Sequence, residues 1–213
     1  MKSKPLYEKY ERIRHCVVRI QTSARTGSGF LFRTAHGWLV VTAYHVVRDC
    51  HTGGELASVH CIGVDDRPVE LFASYHKGDK SMDVAILRLT RAMDGLASAR
   101  LWTKGLGGSR KKVGVGLIIA SYPSLVREVT GLVVPGPVLQ TTYVSGIGRL
   151  RSEPVYVVDC MVNPGSSGGP VFRRRTLDVI GVVTKLLETR RGQHSGFGIV
   201  VPIPRLVETP RKD

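Results

Sequence analysis

Three polar residues stand where the chain around them is apolar or made of small residues: His45 in "TAYHVV", Asp83 in "SMDVAILRL" and Ser167 in "NPGSSGGPVF". A serine hydroxyl is a poor nucleophile until a neighbouring imidazole takes its proton. That imidazole works best when a carboxylate fixes its tautomer and stabilises the imidazolium. Small residues ahead of a nucleophile let the backbone turn sharply, so that successive N–H groups point into one concavity and stabilise an oxyanion. Taken singly, a histidine at a strand end, an aspartate in a turn and a Ser-Gly-Gly loop each have ordinary explanations. Their succession in one chain is what points to acyl-transfer chemistry.

Residues so far apart in sequence need a fold that gathers them. "CVVRIQT" (16–22), "GSGFLFR" (27–33), "WLVVTAYHVV" (38–47), "LASVHCIGV" (56–64), "VELFASYH" (69–76) and "DVAILRL" (83–89) are rich in β-branched and aromatic residues and are separated by turn signals. His45 stands late in its segment, where a single helical turn could begin, and Asp83 heads its own. A looser, Gly-rich and basic stretch follows over 90–112. The rhythm then resumes with "VGVGLIIASYP", "VREVTGLVVPGPVLQ", "TTYVSGIG", "VYVVDCMV", "GPVFRR", "DVIGVVTKLL" and "GFGIVVPI". About six strands on each side predict an all-β protein of two small barrels or sandwiches. The chain divides into an N-terminal half (1–100), a linker (101–112), a C-terminal half (113–206) and a tail (207–213). Residues 5–15 predict one or two helical turns, and no internal repeat is visible.

Composition narrows the classes. With 213 residues, 42% of them hydrophobic, the chain can bury a sizeable core. No apolar run approaches the roughly 18 residues that a membrane span needs. The basic start is followed by no apolar h-region, so a cytoplasmic protein, or a domain already stripped of a leader, is expected. Lys and Arg number 31 against 17 Asp and Glu, and the net charge of +14 would attract nucleic acid or anionic surfaces nonspecifically at low salt. Cys16, Cys50, Cys61 and Cys160 form no CxxC pair and have no histidine at chelating spacing. They read as structural thiols, with no metal and no cofactor implied.

The three motifs, in the order His, Asp, Ser, resemble those of trypsin-like serine proteases of the chymotrypsin fold, whose usual forms are TAAHC, DIALL and GDSGGP. The likeness is greatest to the HtrA/Deg branch: "YEKYERIRHCVVRI" is similar to its N-terminal helix and first strand, "RTGSGFLF" echoes its GTGSGF turn, and "SGFGIVVPI" resembles its final strand. It runs from about residue 6 to 206 and implies two six-stranded antiparallel β-barrels with the active site between them. Carried over residue by residue, it makes His45 the general base and then acid, Asp83 its orienting carboxylate and Ser167 the nucleophile. The Gly165 and Ser167 N–H groups would form the oxyanion hole. The pocket for the side chain before the scissile bond would be lined by Met161, Val162 and Asn163, by Thr184, Lys185 and Leu186, and by Gly196, Phe197 and Gly198. No acidic residue lies among these, which implies small or medium aliphatic side chains rather than Arg or Lys.

There are departures. Ser166 stands where digestive relatives carry an aspartate that binds a new N-terminus, and no "IVGG"-like start is present, so activation by N-terminal cleavage is not expected. No cysteine adjoins His45, and a PDZ domain is not expected after the last strand. Trimers of HtrA relatives use an N-terminal segment that is short in this chain, so a monomer is expected. Two function classes stand: a serine endopeptidase acting on polypeptides, and a latent fold that binds peptides or nucleic acid.

Overall fold

The computed structural model describes residues 5–91, 93–102, 112–124, 136–160, 162–188 and 194–203. A short helix α1 (Leu6–Ile13) leads into β1 (Val17–Gln21), β2 (Thr26–Thr34), β3 (Gly37–Ala43), a helix α2 (Arg48–Gly53), β4 (Ala57–Ile62), β5 (Pro68–Asp79) and β6 (Val84–Leu89). The second half holds β7 (Gly116–Ser121), β8 (Val138–Leu150), β9 (Glu153–Asp159), β10 (Pro170–Arg173), β11 (Val179–Glu188) and β12 (His194–Pro202). Each half closes into a six-stranded antiparallel barrel, in the order β1-β2-β3-β6-β5-β4 and β7-β8-β9-β12-β11-β10. The two therefore share one strand order, which the absence of a sequence repeat hides.

The near-continuous apolar runs follow from strands that are buried on both faces. Successive side chains of a strand point to opposite faces. Val18, Leu31, Val40, Ala85 and Leu87 belong to the core of the first barrel, and Leu117, Ile119, Val171 and Val200 to that of the second. Their chain neighbours Val17, Phe30, Val41, Val84, Ile86, Ile118, Ala120, Phe172 and Val201 form a third cluster drawn from both halves, the seam between the barrels. Alternate residues of one strand thus serve two different cores.

The connection past β6 is also a fastener. Ala99 N–H donates to Leu31 O at 2.8 Å, while Val179 N–H donates to Arg100 O and Trp102 N–H to Val179 O, at 2.8 and 2.9 Å. The Arg100 guanidinium pairs with the buried Asp178 carboxylate. Residues 99–102 therefore bond to both barrels before the chain enters the second.

Two segments differ from their sequence reading. The run 38–47 leaves the sheet at Ala43, because Tyr44, Val46 and Val47 bury their side chains in a 3-10 turn and the start of α2 instead of along a strand. Gly54, with φ 69°, stops α2. "GPVLQ" and "TTYVSGIG" are one strand, β8, carrying a register shift between Val144 and Gly146. The segment 126–140 lies partly outside the described residues.

All four cysteines are buried and unpaired. Burial pushes the Cys16 thiol up to about 12 and those of Cys61 and Cys160 up to about 11, and it raises Cys50 as well. Only the thiolate is reactive. The folded protein should therefore resist iodoacetamide at pH 8 and take up four equivalents in denaturant, read by intact mass. Rapid alkylation of any cysteine in the native state would contradict this packing.

Candidate active site

The first barrel supplies the imidazole and the carboxylate. His45 sits in the 3-10 turn Tyr44–Val46 at the end of β3. Asp83 immediately precedes β6, in the left-handed region with φ 59°, a conformation that Asp tolerates better than most residues. There it holds His45 by both backbone and ring: Oδ1 accepts the His45 N–H at 2.9 Å and Oδ2 lies 2.8 Å from Nδ1. The Asp83 carbonyl also accepts the Tyr44 N–H at 3.1 Å. A carboxylate on Nδ1 makes that nitrogen the donor and leaves the lone pair on Nε2. Asp83 is buried while the His45 side chain stays 39% exposed, so the ring's far edge is accessible.

The turn before Asp83 is built by another carboxylate. Asp79 Oδ1 accepts from Ser81 N–H (2.8 Å), Ser81 Oγ–H (2.6 Å) and Met82 N–H (3.1 Å). Sequence reasoning missed this residue, although an Asp followed two positions later by Ser is an Asx-turn signal.

The second barrel supplies the serine loop, in which the carbonyls of four successive peptides are tied down. Ser124 N–H donates to Pro164 O (2.9 Å), Ser28 Oγ–H to Gly165 O (2.6 Å), Gly169 N–H to Ser166 O (3.0 Å) and Ser28 N–H to Ser167 O (2.8 Å). Ser166 N–H returns to Asn163 O at 2.9 Å and Gly168 N–H goes to Val183 O at 2.6 Å. Asn163-Pro164-Gly165-Ser166 is thus a Pro-Gly turn of type II, with Gly165 at φ 87°. Among the described residues, the Gly165 and Ser167 N–H groups have no acceptor. They belong to alternate peptides of the loop and are free for an anionic oxygen.

Two close approaches fix this loop, one against the chain that follows β7 and one against the first barrel. A Cβ on Gly165 would lie 2.5 Å from Ser124 N, and one on Gly168 would lie 2.7 Å from Ala43 N, two residues from His45. Both sites have positive φ and no room for a side chain. Ser167 is half-buried and makes no hydrogen bond to the His45 ring among the described residues, a contact that is often loose in ligand-free enzymes.

Beside the serine lies an open sheet edge. β10 pairs with β11 only as far as Val182, so the stretch 184–186 is bonded to β12 on one side and, among the described residues, has no strand on the other. Thr184 is buried with its Oγ1 unpartnered, and Lys185 is exposed. Leu186 pairs by backbone with Gly198; its side chain and all of Met161 lie outside the described residues. Val162 packs directly over Gly198, with Cys160 beside them, and Asn163 is half-buried. Gly196 has open space around it and Phe197 is 39% exposed.

A family profile described as the trypsin-like peptidase domain matches residues 27–182, from the strand that ties down the serine loop to the strand that flanks it. The chain belongs to the trypsin-like peptidase family. It is 32% identical over 183 residues to a probable periplasmic serine endoprotease, DegP-like, of Pseudomonas putida, a match covering 83% of this chain and 32% of that protein. The corresponding protein of Halomonas elongata is 30% identical over 184 residues, again 83% and 32%. The chain therefore spans about one third of the length of the curated relatives it matches. Among solved structures, Deg5 superposes with a TM-score of 0.74 at 22% identity, covering 95% of this chain and 90% of that one. The HtrA-type protease AlgW with a tripeptide gives 0.68 at 22%, covering 93% and 60%. These likenesses agree with the two-barrel fold.

In this trypsin-like domain the residue before Ser167 is anchored without charge. Ser166 is buried and its hydroxyl accepts from Ser121 Oγ–H at 3.1 Å. Neutral partners avoid the cost of burying an ion pair.

The Asp79 turn has a pH signature. Burial alone would raise its carboxyl, but the bonds from Ser81 and Met82 and the field of Arg151 outweigh that and hold it below the ordinary value. An ionised form favoured in the folded state adds stability that is complete above the ordinary carboxylate range and is lost as pH falls through it. Asp79→Ala should lower stability by about 1 kcal/mol at pH 7, and thermal melts should show the gap to wild type shrinking below about pH 4. An equal gap at pH 3 and pH 7 would count against the charged turn.

Proposed function

We propose that this domain is a serine endopeptidase in which His45, Asp83 and Ser167 act as a triad. The observation that carries the reading is the His45–Asp83 pair set beside a serine loop in which, among the described residues, the Gly165 and Ser167 N–H groups have no acceptor while those of Ser166, Gly168 and Gly169 are bonded. Ser167 Oγ attacks the substrate carbonyl carbon while His45 Nε2 takes its proton. The Gly165 and Ser167 N–H groups receive the oxyanion, and Asp83 stabilises the imidazolium. Collapse expels the amine, which leaves with the proton from His45. A water molecule, deprotonated by the same imidazole, then hydrolyses the acyl-enzyme.

The substrate backbone adds antiparallel to the open edge at 184–186, a binding mode that sheet edges support in general. The side chain before the scissile bond enters the space bounded by Val162, Asn163, Gly196, Phe197 and Gly198. Val162 over Gly198 narrows that space and no acid is among these five residues, which favours small or medium aliphatic side chains. The latent binding module has less support, because a binder has no need of a carboxylate buried against a half-exposed imidazole. Four buried, unpaired thiols favour a reducing compartment.

Labelling with a fluorophosphonate, read by peptide mass spectrometry, tests the reading. Ser167 should be modified in the wild type and not in Ser167→Ala or His45→Ala, each of which should lower kcat by at least about a thousandfold. Peptide-library cleavage should favour Val, Ala, Ile or Leu before the cut. Labelling that persists in Ser167→Ala would remove the serine from its role, and a profile dominated by Arg or Lys would refute the aliphatic pocket.

A further inference from the structure

Ser28 comes from the "RTGSGFLF" stretch, far from the three motifs in sequence, and the proposed chemistry gives it no part. It is 0% exposed, yet all of its hydrogen-bonding groups are used, and they reach the second barrel in three places. Its N–H donates to Ser167 O at 2.8 Å and its Oγ–H to Gly165 O at 2.6 Å, while Oγ accepts the Tyr122 N–H at 2.8 Å. Its own carbonyl accepts Thr42 Oγ–H at 2.7 Å, which ties β2 to β3 just before His45.

We infer that Ser28 is a positioning residue for the oxyanion hole, an inference that rests on the endopeptidase reading. A peptide plane held at its carbonyl cannot rotate freely about the chain. The bonds to Gly165 O and Ser167 O fix the planes on either side of the Ser166–Ser167 peptide, whose N–H is one of the two oxyanion donors. The Gly165 bond also fixes the last peptide of the type II turn that presents the Gly165 N–H. By accepting the Tyr122 N–H, the same hydroxyl holds the strand end from which Ser124 reaches Pro164 O. One buried hydroxyl of the first barrel therefore sets the direction of both donors in the second. No charged group takes part, so this alignment does not depend on an ionisation.

Removing Oγ while keeping the backbone N–H isolates this role. Ser28→Ala, Ser28→Cys, Ser167→Ala and the wild type are compared on an aliphatic peptide p-nitroanilide, with thermal melts on each. Binding of an uncleaved peptide is measured in Ser167→Ala with and without Ser28→Ala. Misaimed donors affect the transition state more than the ground state. The Ser28→Ala variant should lose about ten- to hundredfold in kcat, less than the roughly hundred- to thousandfold for deleting one donor outright. KM and the affinity of the uncleaved peptide should stay within about twofold. Ser28→Cys, nearly isosteric but a weak donor, should fall between.

A purely structural role would instead lower the melting temperature and leave kcat of the folded enzyme unchanged. Wild-type kcat in Ser28→Ala overturns the inference; should that variant not fold, wild-type kcat in Ser28→Cys does so. A wild-type protein with no more activity than Ser167→Ala overturns the endopeptidase reading itself, and is told apart from the other failures by that control.

Discussion

Because each barrel closes on itself, no ladder hydrogen bond among the described residues holds one barrel to the other, and the site depends on how the seam between them is made. Apolar packing of Phe30, Val41, Ile86, Phe172 and Val201 supplies attraction across it. That attraction is nearly non-directional, so it sets proximity but not register. Hydrogen bonds are directional. Those from Ser28 to Gly165 and Ser167, from Tyr122 to Ser28 and from Ala99 to Leu31 supply the register that packing alone leaves open.

The polar contacts at the seam divide by charge. Around the serine loop the anchors are hydroxyls and amides: Ser28, Thr42, Ser121 and Ser166 are all buried and all bonded. A buried neutral group with its partners in place is far cheaper than a buried ion. The one carboxylate buried at the site, Asp83, is satisfied by donors from His45 on both its oxygens. Next to the site, charge thus sits with the His45–Asp83 pair, while the serine loop is held by neutral groups. The net charge of +14 plays no part in either set of contacts.

What could be read from the sequence follows the same division. Strands such as β2, β3, β6 and β7 were legible because double burial makes them apolar runs with clear turn signals, and the turn at His45 was visible as a polar interruption. Helix α2 was not, because its one buried residue, Cys50, leaves no periodic stripe to read. The length of β8 was hidden because the reading broke it between Gln140 and Thr141, where the polar run Gln140-Thr141-Thr142 interrupts the apolar pattern. Ser28 and Ser121 were invisible for another reason: a small polar residue inside an apolar strand looks the same whether its hydroxyl is idle or bonds across the seam. Motifs report groups that do chemistry, whereas groups that aim them differ only in their partners.

The shared strand order gives the division of labour a physical basis. In each barrel the third strand runs out into the segment that carries a proposed catalytic side chain: β3 ends at Ala43, two residues before His45, and β9 ends at Asp159, before the loop that holds Ser167. Two copies of one topology, packed face to face, bring these equivalent exits to the same seam. Asp83 enters from the head of β6, which pairs with β3 through Ala43 and Val84, so carboxylate and imidazole move as one body. The serine belongs to the other body. A small rotation at the seam would therefore change the His45–Ser167 separation while leaving the His45–Asp83 pair and both cores intact, which makes the contacts across the seam the natural point at which activity can be lost without unfolding.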